Sequence, residues 1–99
     1  MVIVCEELGI PYDLKIIGFS KMKEKPYTDI NPNGRAPAIQ DPNTGLTIWE
    51  SGAILGYLIE TYDKGQKLHY NTPKERNLQR QYVFFQVSGQ GPYFGQAAW

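Results

Sequence analysis

Ninety-nine residues allow one small domain, or one domain and part of a second. Ten Lys+Arg balance ten Asp+Glu, which removes the electrostatic drive toward nucleic acid or an anionic membrane. An apolar share of 41% and a charged share of 20% fit a folded chain, no apolar run approaches the roughly 20 residues that span a bilayer, and a single cysteine excludes an internal disulfide framework.

The opening run, MVIVCEELGIPY, places Val2, Ile3, Val4 and Cys5 in an apolar stretch with no polar N-cap before it. Gly9 suits a left-handed C-cap and Pro11 bars continuation, so residues 1–8 read as the back half of a helix. Residues 12–19 alternate, with Tyr12, Leu14 and Ile16 on one side and Asp13 and Lys15 on the other, which predicts a strand. SKMKEK is a solvated basic stretch, Pro26 opens a short helical turn over PYTDIN, and NPNG at 31–34 is turn chemistry. Strands at 37–41 and 46–50 around PNTG predict a hairpin. Residues 51–65 predict a helix with Ile54, Leu55, Leu58, Ile59 and Tyr62 on its buried face and Gly65 at its end. A polar linker follows, then a helical pattern from Lys74 through Leu78, Tyr82 and Phe85 that Gly89, Gly91 and Pro92 must bend or break. The aromatic set Tyr82, Phe84, Phe85, Tyr93, Phe94 and Trp99 reads as helix-packing core, and the neutral charge argues against a base-stacking platform. Both chain ends look abrupt, as in a fragment.

Three places could carry chemistry. Pro37, after the turn, is either an ordinary proline at the first position of a strand or a cis proline that turns the backbone of Ala36 outward. An outward Ala36 would offer a donor and an acceptor to an extended peptide. Ser51 either caps the helix, with Glu50 favourable at its positive end, or the pair receives a ligand. A helix N-terminus suits a carboxylate and an adjacent glutamate suits an ammonium, so together they match the zwitterionic end of an amino acid. Each such charge-assisted bond is worth roughly 1.5–3 kcal/mol. Lys23 and Arg35 are either solvated cations or partners for a second ligand carboxylate. Cys5 reads as an inert packing residue and His69 as a solvated one; with one of each, the common zinc clusters are excluded and no metal site is expected.

INPNGRAPAI, IWESGAILGYL and YVFFQVSGQGPYFGQ, at these spacings, resemble the glutathione transferase family, most closely its fungal nitrogen-regulator-like group and the bacterial disulfide-reductase relatives. EELGIPY resembles the end of that family's first helix, and the resemblance covers essentially the whole chain. It implies an α/β, thioredoxin-like N-terminal domain lacking its first strand (1–66), a linker (67–73) and the first helix of an all-helical C-terminal domain (74–99). It implies glutathione as co-substrate, an electrophile or disulfide as acceptor, a cytoplasmic homodimer, and a cis Pro37. By motif position, Ala36 and Pro37 would hold the cysteinyl backbone of glutathione, and Glu50 and Ser51 its γ-glutamyl end. Lys23 would approach the glycyl carboxylate, and Arg35 would adjoin the site.

The resemblance places the family's catalytic residue ahead of Met1, so no residue here is expected to be catalytic, and Cys5 lies too far along its helix. The implied roles are a glutathione-binding portion of a transferase or disulfide reductase that is inactive by itself, a non-catalytic regulatory binding module, or a truncated product without function. Glutathione bound to this chain is therefore expected to titrate near the free-thiol value of about 8.5. Thiolate absorbance of the bound tripeptide against pH checks this, and a clear downward shift with turnover would reverse it.

Overall fold

The computed structural model describes residues 1–98. In chain order it contains α1 (Val2–Leu8), a 3-10 turn (Phe19–Lys21), α2 (Tyr27–Ile30), β1 (Ala38–Asp41), β2 (Leu46–Trp49) and α3 (Ser51–Tyr62). Then follow α4 (Pro73–Phe85), a π-helical turn (Gln86–Gln90) and α5 (Gly91–Ala97). No helix is long and apolar enough to cross a membrane among the described residues.

The core is small and sits on α3. Cys5, Ile54 and Leu58 are buried together, with Met1, Val4, Ile10, Ile39, Ile48, Tyr57 and Tyr62 packed around them. Ile54 and Leu58 are one helical turn apart and share a face. β1 and β2 pair antiparallel with Ile39 opposite Ile48, so both isoleucines leave the same side of the hairpin and meet α3. α1 closes the core from the other side and ends as expected at Gly9, whose φ of 66° is left-handed.

Asp41 shares the α3-facing side of β1 with Ile39, two residues before it. Its Oδ1 accepts the Asn43 N–H at 2.9 Å and closes the hairpin turn, while Oδ2 accepts the hydroxyls of Tyr57 and Tyr62 from α3. Thr44 Oγ1 lies 2.6 Å from the Tyr57 hydroxyl and extends the same contact. One carboxylate thus ties turn, strand and helix. The bond from Tyr57, then that from Tyr62, with the backbone N–H groups of Asn43 and Thr44, outweigh burial and hold the Asp41 carboxyl below its ordinary value.

The structure corrects several expectations. Residues 12–19 form no strand: the only ladder among the described residues joins β1 and β2, and alternation without a hydrogen-bonded neighbour is not a strand. Leu14 and Ile16 are accordingly exposed, and Tyr12 bonds back to Glu6 at 2.6 Å. α3 ends at Tyr62 rather than Gly65, because Asp63 turns its carboxylate onto the N–H groups of Lys67 at 2.8 Å and Leu68 at 2.7 Å. Burial alone would raise the Asp63 carboxyl; the N–H groups of Leu68, Lys67 and His69 and the charge of His69 prevail and lower it. His69 is half-buried beside this carboxylate rather than freely solvated.

α4 begins at Pro73, one residue before the expected start. Thr72 is its N-cap and accepts the Glu75 N–H at 3.2 Å, the Thr-x-x-Glu signature of a helix start. The expected bend near Gly89 is absorbed by the π-helical turn. Tyr82, Phe84, Phe85, Tyr93 and Phe94 are exposed, not core. α4 and the π-helical turn approach α3 through Val83 and Val87, whose methyls lie 3.5 and 3.7 Å from where a Cβ on Gly52 would sit, and no second layer covers these aromatic rings among the described residues. Trp99 lies outside the described residues.

Asp41→Asn should lower the urea midpoint at pH 7. The folded-state carboxyl lies below the unfolded value of about 3.9, so its contribution is present above that pH and lost as pH falls through the folded value. The gap between wild type and variant should begin to narrow below about pH 4 and close as the folded-state value is passed, measured by urea unfolding at several pH values.

Candidate functional site

The turn at 31–34 is built around a buried side chain. Asn31 is 2% exposed; its Oδ1 accepts the Asn33 N–H at 3.0 Å and its backbone oxygen accepts the Gly34 N–H at 2.9 Å. Its Nδ2 donates to the Arg35 carbonyl at 2.7 Å, and the buried Tyr27 hydroxyl donates to the same carbonyl at 2.6 Å. Gly34 has φ of 62°, and a Cβ there would lie 2.8 Å from both the Lys23 Cδ and the Met22 carbonyl. Glycine is required because the Lys23 stem lies across it while Nζ donates to the Asn33 carbonyl at 3.0 Å. Lys23 is therefore placed at the turn, not loose in solvent. The Arg35 side chain is exposed and forms no ion pair among the described residues.

The carbonyl of Arg35 and the N–H of Ala36 belong to one planar trans peptide unit and point to opposite sides. Two buried donors hold the carbonyl inward, so the Ala36 N–H is aimed outward. Ala36 is exposed, and neither its N–H nor its C=O has a partner among the described residues. The Ala36–Pro37 bond is cis, as the resemblance implied, and β1 starts one residue later at Ala38.

At the start of α3 the expected cap is corrected. Glu50, not Ser51, is the N-cap residue, with φ of 77° and ψ of 118°, and no side chain caps the helix. Ser51 is already helical and half-buried, and its hydroxyl makes no hydrogen bond among the described residues. Glu50 is exposed and without an ion pair among those residues. The first α3 N–H groups and the Glu50 carboxylate are thus unengaged at a positive helix end.

The hairpin brings these places together. Ala38 pairs with Trp49, so the residues entering β1 (Ala36 and Pro37) and those leaving β2 (Glu50 and Ser51) sit at one end of the ladder. An outward peptide edge beside an open helix N-terminus with an adjoining carboxylate can hold an extended zwitterionic peptide. Tyr27 and Asn31, which hold that edge, were not singled out from sequence; the Asn-Pro-Asn-Gly pattern signalled a turn but not a buried amide. Cys5 is buried, and burial pushes its thiol up, so it is a packing group and not a ready nucleophile. No cluster of metal-ligating side chains occurs among the described residues.

The sequence model of the family described as glutathione S-transferase, N-terminal domain, matches residues 1–61. The chain belongs to this family. Among relatives, the glutathione S-transferase-like protein gedE of Aspergillus terreus is 55% identical over 100 residues, covering 98% of this chain and 43% of that protein. Glutathione S-transferase 2 of Schizosaccharomyces pombe is 43% identical over 104 residues, covering all of this chain and 45% of that protein. Among solved structures, the glutathione transferase URE2P6 of Phanerochaete chrysosporium, in complex with oxidized glutathione, superposes with a TM-score of 0.92 at 48% identity. It covers 98% of this chain and 46% of the other. Ure2p in complex with glutathione superposes with a TM-score of 0.90 at 35% identity, covering 97% and 46%. The chain thus spans under half the length of the glutathione transferases it matches, and its fold is the thioredoxin-like one of their N-terminal domains.

In this glutathione transferase domain Glu50 is one of two described non-glycine residues with a positive φ, the other being Gln66. Such a φ costs a non-glycine residue on the order of 1–3 kcal/mol. Glu50→Gly should raise the urea midpoint, since relief outweighs the ~0.5–1 kcal/mol of added unfolded-chain freedom, while Glu50→Ala should not.

Proposed function

We propose that this chain is the glutathione-binding portion of a glutathione transferase or glutathione-dependent disulfide reductase. The observation that carries the reading is the pairing of an outward, unpartnered Ala36 peptide edge with the open N-terminus of α3 at one end of the β1–β2 ladder. The Ala36 N–H and C=O, beside Pro37, bind the cysteinyl backbone of glutathione. The α3 N–H groups and the Ser51 hydroxyl take the γ-glutamyl carboxylate, and Glu50 takes its ammonium. Lys23, steered by the Asn33 carbonyl, and the free Arg35 face the glycyl carboxylate. The likeness to structures described as complexes with oxidized glutathione and with glutathione supports this ligand.

In this reading residues 1–66 form the glutathione-binding domain, 67–73 a linker, and 74 onward the start of a helical domain. The approach of Val83 and Val87 to Gly52, one residue from Ser51, supports a role for that helix beside the tripeptide, where an electrophile or disulfide would be received. The family likeness supports a cytoplasmic homodimer for the assembled protein.

Calorimetric titration with glutathione tests the site. Glu50→Gln should weaken binding more than it affects folding. Ser51→Ala should weaken it by about 1 kcal/mol, roughly fivefold, and leave the helix intact, because Ser51 caps nothing. Equal affinity for wild type and Glu50→Gln would overturn the ammonium pairing.

A further inference from the structure

Tyr27 and Asn31 make the only hydrogen bonds to the Arg35 carbonyl among the described residues, and both are buried. Neither side chain is at the open edge where a ligand would lie. Two buried donors on one acceptor fix the Arg35–Ala36 peptide plane about its long axis, and that plane carries the Ala36 N–H on its other side. Losing either donor leaves the plane free to swing and the outward N–H to lose its aim. A misplaced donor costs affinity even when the fold is retained, because binding must then order the plane.

We infer that Tyr27 and Asn31 are positioning residues for peptide binding: they aim the Ala36 N–H by holding the carbonyl on the far side of the same peptide unit. The inference rests on the glutathione-site reading for its ligand, but not for its geometry. It differs from a general stabilising role in being local. The γ-glutamyl end is held at α3, which Tyr27 and Asn31 do not touch, so only the contact to the cysteinyl backbone should suffer.

The test compares wild type, Tyr27→Phe and Asn31→Ala at a temperature where all three are folded by circular dichroism. Tyr27→Phe removes one hydroxyl and keeps the ring, so it is the variant that retains the fold if Asn31→Ala does not. Two probes are titrated: glutathione, and γ-glutamylmethylamide, which lacks the cysteinyl carbonyl that the Ala36 N–H would bind; binding is followed at the Ser51 amide by NMR. The ordering of the Ala36 amide is measured by nitrogen-15 relaxation. Tyr27→Phe is expected to weaken glutathione about fivefold and leave γ-glutamylmethylamide unchanged. The Ala36 order parameter should fall below the rigid value of about 0.85 while those of α3 stay there. Unchanged glutathione affinity with a rigid Ala36, or equal weakening of both probes, overturns the inference. If wild type binds no glutathione, the functional reading fails separately. The positioning role then stands if Ala36 loosens in the variants and falls if it stays rigid.

Discussion

The burial of Ile54 is the constraint on which the other arrangements depend. Its side chain has no exposed surface and lies among residues from α1, the hairpin and α3. A fully buried isoleucine contributes about 1.5–3 kcal/mol of transfer free energy, and in so small a core there is little else of that size. Leu58, one turn further on, makes the same contact and fixes the rotation of α3 about its axis. Once α3 is seated against Ile39 and Ile48, its first turn cannot move independently of the end of β2. The position of Glu50 and Ser51 relative to Ala36 is therefore a consequence of hydrophobic packing, not of any contact between them.

Polar groups then refine what packing has placed, and each does so through a backbone group. Asp41 gathers the hairpin turn and two α3 hydroxyls onto one carboxylate at the end of the ladder opposite the site. Asn31 and Tyr27 converge on the Arg35 carbonyl at the near end. Asp63 ends α3 by accepting N–H groups from the next segment. In all three cases a side chain saturates main-chain or hydroxyl groups that no regular element supplies with partners, as buried polar groups require. The groups left over are then informative. The Ala36 peptide edge and the start of α3 are unsatisfied because they face outward, where water or a ligand supplies the bonds.

The exposed apolar surface belongs to the same account. Leu14 and Ile16 on the unpaired stretch, and the aromatic rings of α4 and α5, have the composition of interior surface without an interior. The chain spans under half the length of the relatives described above.

The amino-acid sequence by itself determined the local pieces whose causes are local. Gly9 ending α1, the turn at 31–34, the hairpin around Gly45 and the buried face of α3 follow from glycine's tolerance of positive φ and from helical periodicity, which act within a few residues. It also showed the candidate residues Ala36, Glu50 and Ser51 as types suited to a zwitterionic peptide. The tertiary structure alone decided the rest. Alternation at residues 12–19 did not make a strand, because a strand needs a neighbour that only the assembled sheet can provide. Ser51 lost the cap to Glu50, whose positive φ carries the chain from β2 into α3, a backbone state that propensity does not suggest for glutamate. The link from Tyr27 and Asn31 to the Arg35 carbonyl was equally illegible in advance. It spans eight residues from Tyr27 and depends on burying an amide and a phenol against one backbone oxygen, which is a property of packing in three dimensions.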